Sequence, residues 1–229
     1  MDLDNRLVKG LNKQGITKMT GIQEDCFKPA LEGKNIIACS GTGTGKTLAF
    51  LLPVIMKNID NKELYAVVIT PSKELCIQIC SQINQLSNKS GISVTAAALL
   101  FSGVNKQRQL QTLKSKPNIV VGTYQRIYEL IKEDRKLAAH QVKTLIIDEA
   151  DKILNKDNID GITALRKCFM RDIQVMLFSA SVTDNTRTLA GQIGADYVNI
   201  TTGDKITIPT NIEHYYFTVE KRELIETVR

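Results

Sequence analysis

The chain has 229 residues, 43% apolar and 24% charged, which suits one α/β domain or two small ones and excludes a disordered or fibrous chain. It has no apolar run long enough to span a bilayer and no apolar signal core at its N-terminus, so neither a membrane span nor secretion is expected. Five scattered cysteines point to a reducing, cytoplasmic setting, and a net charge of +6 mildly favours a polyanionic partner.

Residues 1–34 read as helical. Seven short β-branched runs follow, at 35–39, 66–70, 93–101, 118–123, 144–148, 174–180 and 197–200. They are apolar on both faces instead of alternating, the pattern of strands buried inside a parallel sheet. Helical patterns separate them. "GKTLAFLLPVIMKNI" follows the first run. "SKELCIQICSQINQLSNKSG" follows the second, with Leu75, Ile79, Ile83 and Leu86 on one stripe and Gly91 as its stop. "YQRIYELIKED" and "NIDGITALRKCF" come later. Repeated strand-then-helix predicts an α/β fold, a mostly parallel sheet with helices on both faces and right-handed crossovers. Cys76 and Cys80 lie four apart on one of these helices without a second pair or a nearby histidine, and read as buried thiols. After Pro209 the pattern changes to a strand-like "NIEHYYFTV" and a helix, "EKRELIETVR", that stops without a cap. One domain is therefore expected over 1–208, with 209–229 a linker or the start of a second unit, and the natural chain is expected to continue.

Between the first strand and its helix stands "SGTGTGKT", residues 40–47. A strand–loop–helix setting is what a phosphate-binding loop requires. Gly41, Gly43 and Gly45 carry no Cβ, so the backbone N–H groups of Gly41, Thr42, Gly43, Thr44 and Gly45 can close around phosphate oxygens. The helix starting near Lys46 aims its positive end at the same place. Lys46 can meet the β- and γ-phosphates as a point charge, and the Thr47 hydroxyl can ligate Mg²⁺. A glycine-rich tight turn is the plain alternative, and Ser40 stands where the usual pattern has glycine.

The strand "TLIID" ends on Asp148 and Glu149. Carboxylates at the C-terminal end of a parallel strand face the crevice where ligands bind. Asp148 is placed to hold Mg²⁺ and Glu149 to orient or deprotonate an attacking water. The bland reading is an acidic strand-to-helix turn with Asp151 as its cap.

Asp148-Glu149-Ala150-Asp151 after a phosphate loop resembles the DEAD-box ATP-dependent RNA helicases. "GITKMTGIQ" (15–23) resembles that family's Q motif, ending on Gln23. "PSKEL" (71–75) is similar to motif Ia, "SGV" (102–104) partly to the double-glycine motif, "GTYQR" (122–126) to motif Ib and "SAS" (179–181) to motif III. The matches keep the family's order and cover nearly the whole chain, as the first of its two RecA-like P-loop domains. The departures are Ser40 for alanine, Ser72 and Lys73 for threonine and arginine, Tyr124 and Gln125 for proline and glycine, and Ser181 for threonine. Lysine cannot reproduce a bidentate guanidinium contact.

The resemblance implies ATP and Mg²⁺ as ligands, with the Gln23 amide pairing the adenine edge, an edge that offers one donor and one acceptor. It implies catalysis by Lys46, Asp148 and Glu149. Ser179 and Ser181 would bond the acidic motif around Asp151 and couple phosphate state to domain closure. Pro71, Ser72, Lys73, Gly103, Thr123 and Arg126 would hold the sugar-phosphate backbone of single-stranded RNA without reading bases. A second RecA-like domain is the implied partner of a monomer with no membrane contact. The family's adenine-stacking aromatic would fall before Met1. Two other functions stay open on the residues alone: an ATP-gated RNA clamp or assembly scaffold that never unwinds, and an unrelated P-loop ATPase acting on DNA or protein.

Overall fold

A computed structural model describes residues 3–99 and 106–202, with residues 106–109 described by backbone only. Gly103, the last residues of the expected third strand and the whole of 209–229, with the boundary expected after 208, lie outside the described residues. The elements in chain order are α1 (Asn5–Asn12), α2 (Gly21–Leu31), β1 (Ile36–Cys39), α3 (Lys46–Lys57), β2 (Ala66–Ile69), α4 (Lys73–Ser90), β3 (Ala96–Leu99) and α5 (Lys106–Lys114). They continue with β4 (Ile119–Gly122), α6 (Tyr124–Lys132), β5 (Thr144–Asp148), α7 (Ala150–Ile153), α8 (Ile159–Arg166), β6 (Gln174–Ser179), α9 (Asp184–Ala190) and β7 (Val198–Thr201). Each of the seven apolar runs holds a strand; β5 matches its run, β7 is shifted by one residue to end at Thr201, and the others are trimmed by one to three residues at an end within the described residues. All join one parallel sheet in the order β3-β4-β2-β5-β6-β1-β7.

Strand side chains alternate between two cores because successive Cβ atoms point to opposite faces. Ile36, Ala38, Val68, Ile146, Met176 and Phe178 meet α1 to α4 on one face. Ile37, Val67, Ile69, Leu145, Ile147, Val175 and Leu177 meet α6 to α9 on the other. The division follows from handedness. From β1 through β2 to β3 the chain moves one way across the sheet, and from β3 through to β7 it moves the other way. Right-handed crossovers then put the two sets of helices on opposite faces.

The α4 helix illustrates how local sequence sets its limits. Ser72 caps it by accepting from Leu75 N at 3.3 Å, and Gly91 ends it in the left-handed conformation at φ 73°. Its stripe of Cys76, Ile79, Cys80, Ile83 and Leu86 is buried; Leu75, expected on that stripe, is only half-buried. Burial pushes the Cys80 thiol up to about 12, as an inert core thiol requires. Under the phosphate loop, Phe50 of α3 meets Phe178 of β6 edge to face, with ring centroids 5.1 Å apart.

Candidate active site

All strands run the same way, so every loop leaving a strand's C-terminal end reaches one edge of the sheet, and that is where open α/β folds bind ligands. β5, β6 and β1 are consecutive in the sheet. The acidic motif, the serine motif and the glycine-rich loop therefore lie side by side, although about a hundred residues separate the first from the last in sequence.

The loop closes on its own lysine. Lys46 Nζ donates to Ser40 O and to Gly41 O, both at 2.7 Å. Ser40 is buried, and its hydroxyl pairs with Thr44 Oγ1 at 2.7 Å, which explains how serine serves where the usual pattern has glycine. Ser40 N donates to Ser179 O at 3.1 Å, fastening the start of the loop to β6. Burial holds the Lys46 ammonium below its ordinary pKa, and the charges of Asp148, Asp151 and Glu149 oppose that shift. Gly45 turns the chain into α3 at φ 89°, and a Cβ there would stand 2.3 Å from Gln23 Nε2. Glycine is needed twice over, for conformation and for space.

Gln23 is buried at the third position of α2. Its Oε1 accepts from Thr20 N at 3.0 Å and its Nε2 donates to Gly45 O at 3.1 Å. One amide thus caps α2 and ties that helix to the phosphate loop. A second amide hydrogen and a second lone pair remain for a further ligand.

Asp148 is 6% exposed at the end of β5 and accepts from Glu149 N at 3.0 Å. Burial raises its carboxyl to about 6, with Glu149 and Asp151 adding to the shift and Lys46 opposing it. Glu149 sits in the left-handed region at φ 51°, a sparsely populated conformation for a residue with a side chain, and its carboxylate pairs with Lys152 at 2.9 Å. Ser179 Oγ accepts from Asp151 N at 3.3 Å and donates to Ser181 O at 2.6 Å, while Ser181 Oγ donates to Asp151 Oδ2 at 2.9 Å. β6 is thereby stitched to the acidic motif.

The other half of the edge belongs to β2 and β4, which are neighbours. Pro71 and Ser72 are half-buried and Lys73 is exposed where α4 begins, and Thr123 stands where α6 begins. The Thr70 hydroxyl, buried, donates to Ser72 O at 3.0 Å and fixes the turn into α4. Arg126, expected to hold the RNA backbone, is 3% exposed, and its Nη1 lies 2.5 Å from Glu129 Oε2 and 3.9 Å from Asp134 Oδ2. Tyr124 points away from the edge as well, donating to Asn158 Oδ1 at 3.0 Å.

The family model for DEAD/DEAH box helicases matches residues 20–189. The chain belongs to that family. It is 35% identical over 231 residues to the DEAD-box ATP-dependent RNA helicase CshC of Bacillus cereus, covering 100% of this chain and 58% of that one. It is 36% identical over 228 residues to the ATP-dependent RNA helicase CshA of Listeria monocytogenes, covering 99% of this chain and 43% of that one. Among solved structures it is similar to the DEAD-box helicase Mss116 bound to ssRNA and UDP-BeF, with a TM-score of 0.81, 26% identity, and coverage of 89% of this chain and 44% of that one. The chain spans about half the length of these relatives. Its sheet is that of the DEAD-box RecA-like domain.

Several contacts around this DEAD-box edge escaped the sequence reading. The acids that hold Arg126 and the lysine that holds Glu149 lie on the same helix as their partners or just beyond it. Glu129 and Lys152 stand three residues on, a spacing at which helical side chains meet. Asp134 and Asn158 meet their partners through turns and helix packing, for which sequence spacing carries no signal. A cleft of about 730 Å³ near Lys34, Arg171 and Gly194 lies at the opposite edge of the sheet, before β1, β6 and β7, away from all these groups. No helix among the described residues is long and apolar enough to cross a membrane.

Proposed function

We propose that this chain is the ATP-binding half of an ATP-dependent RNA helicase, binding ATP and the backbone of single-stranded RNA together with a second RecA-like domain to unwind short duplexes. The observation that carries this is the meeting of Lys46, Asp148, Glu149 and the Ser181–Asp151 hydrogen bond on three consecutive strands. Lys46 now spends its charge on two carbonyls of its own loop, and phosphate oxygens are stronger partners for an ammonium. Opening the loop around a triphosphate would exchange the one set for the other. Gln23 would report adenine to the loop through Gly45.

Thr47 and Asp148 supply one hydroxyl and one carboxylate, and among the described residues no cluster of three acidic, histidine or cysteine side chains offers a complete metal cage. Such a sparse oxygen set fits Mg²⁺, which keeps most of its waters and shares nucleotide phosphates. When bound, the ion would neutralise phosphate charge. Glu149 would orient or deprotonate the attacking water, with Lys152 beside it. Ser179 and Ser181 would carry a change at the acidic motif into β6.

RNA would lie across the other half of the edge. There α4 and α6 begin side by side, and helix N-termini offer N–H groups and a partial positive charge to phosphates. Pro71, Ser72, Lys73 and Thr123 line these starts, and Gly103 belongs to the same proposed set. The relative solved with ssRNA supports this reading.

The test is the substitution Glu149→Gln in the full-length protein. It keeps size and removes the base, so ATP binding measured by calorimetry should persist while RNA-stimulated hydrolysis falls about 10²-fold or more. Undiminished turnover would move the base elsewhere.

A further inference from the structure

Ser40 stands where the family has alanine, and its hydroxyl takes part in closing the glycine-rich loop on itself. We infer that Ser40 is a latch on the closed loop: through Thr44 its hydroxyl raises the cost of opening, and so lowers affinity for nucleotide without touching it. This rests on the proposed ATP reading of the loop.

Thr44 Oγ1 donates to Gly41 O at 2.9 Å. A hydroxyl has one proton, so Ser40 is the donor in the 2.7 Å bond between Ser40 Oγ and Thr44 Oγ1. Lys46 Nζ adds a second tie, donating to the carbonyls of Ser40 and Gly41. Both carbonyls thus turn towards the ammonium. A phosphate oxygen brought to that ammonium would meet two carbonyl oxygens, which repel it. Phosphate binding by such a loop needs N–H groups facing inward, so the peptide planes after Ser40 and Gly41 must turn. Turning the second carries Gly41 O away from Thr44 and frees the Thr44 side chain to move.

Ser40 decides what that movement costs. It is 3% exposed, and its N–H donates to Ser179 O at 3.1 Å, which fastens it to β6 while the rest of the loop opens. Once Thr44 moves, the Ser40 hydroxyl stays behind, closed off from water and without its acceptor, and a lost hydrogen bond is not replaced there. The same burial keeps the hydroxyl away from the ligand. Alanine at this position has no hydroxyl to strand, so it shifts the loop towards the open form. Apparent affinity scales with the share of molecules in the form that binds.

The experiment measures affinity of the full-length protein for ATP with Mg²⁺ and for ADP by calorimetry, with association and dissociation followed by stopped flow. Ser40→Ala should tighten both nucleotides about two- to tenfold, the worth of one neutral hydrogen bond, by faster association at unchanged dissociation. Damage to the fold would not tighten binding, so the direction separates a latch from a merely structural residue. In a Thr44→Val background the Ser40 hydroxyl has no acceptor to lose, and the same substitution should bring no gain. Unchanged or weaker binding by Ser40→Ala, a gain carried by slower dissociation alone, or a full gain in the Thr44→Val background overturns the inference alone. No ATP binding by the unsubstituted protein overturns the ATP reading of the loop, and the inference with it.

Discussion

In the proposed reading Lys46 would serve two states. With its ammonium 2.7 Å from two loop carbonyls and partly desolvated, it holds the loop in shape and keeps a charge that a triphosphate can claim. Gln23 is committed on both sides of its amide, to Thr20 and Gly45, so a base can reach only its remaining hydrogen and lone pair. Adenine offers a donor and an acceptor where guanine offers two acceptors. Gln23→Ala should therefore weaken ATP binding and reduce the preference for ATP over GTP, by titration of both nucleotides; equal affinities in the unsubstituted chain would remove Gln23 from base selection. Asp148 is costly where it sits. Its folded carboxyl is raised to about 6, so the fold binds a proton there more tightly than the unfolded chain does. Stability is lost as pH rises through about 6 and the buried group ionises. Asp148→Asn should raise Tm well above that pH, by on the order of 2 kcal/mol in stability, with the gain vanishing towards the ordinary carboxylate range. A gain that does not change with pH would mean that ionisation is not the cause.

At the scale of elements, α3, α4 and α6 are among the helices that begin on one edge of the sheet, and each brings a positive end there. Each start is built differently: a left-handed glycine for α3, a serine cap for α4, and an N-cap threonine that makes no capping bond for α6. The arrangement stands on packing below it. Phe50 and Phe178, both fully buried, join α3 to β6 under the phosphate loop, so the loop and the serine motif share one floor. Phe178→Ala should cost about 3–5 kcal/mol by chemical denaturation, and should loosen nucleotide binding in whatever fraction stays folded. A loss below about 1 kcal/mol would mean that the site tolerates collapse of this layer.

For the whole molecule, the sheet order divides the labour. β5, β6 and β1 carry the groups proposed for the nucleotide, and β2 and β4 carry the helix starts proposed for RNA. What the described residues lack is an arginine directed at the loop. Arg126 is held by Glu129, Arg166 donates to the carbonyls of Ile193, Met170 and Arg171, Arg187 bonds Asn199, and Arg171 precedes β6 on the far edge. An arginine finger typically contributes about 10³–10⁵ in rate. This chain alone should then hydrolyse ATP poorly, and a version extended through a second RecA-like domain should gain strong RNA-stimulated turnover. Robust turnover by these 229 residues alone would place the whole site within them.

Sequence alone determined the strands, because a parallel sheet covered on both faces needs continuous apolar runs, and all seven became its members. It also determined where the glycine-rich loop and the acidic strand end fall, since glycine, lysine and carboxylate at fixed spacing mark a strand–loop–helix turn and a strand end locally. Strand order was not legible, because pairing of β6 between β5 and β1 joins segments far apart in the chain. Nor was the burial of Arg126, which reads as a surface cation by residue type and is made an interior one by Glu129, Asp134 and the packing around α6. Adjacency and burial are properties of the assembled sheet, and these only the tertiary structure decided.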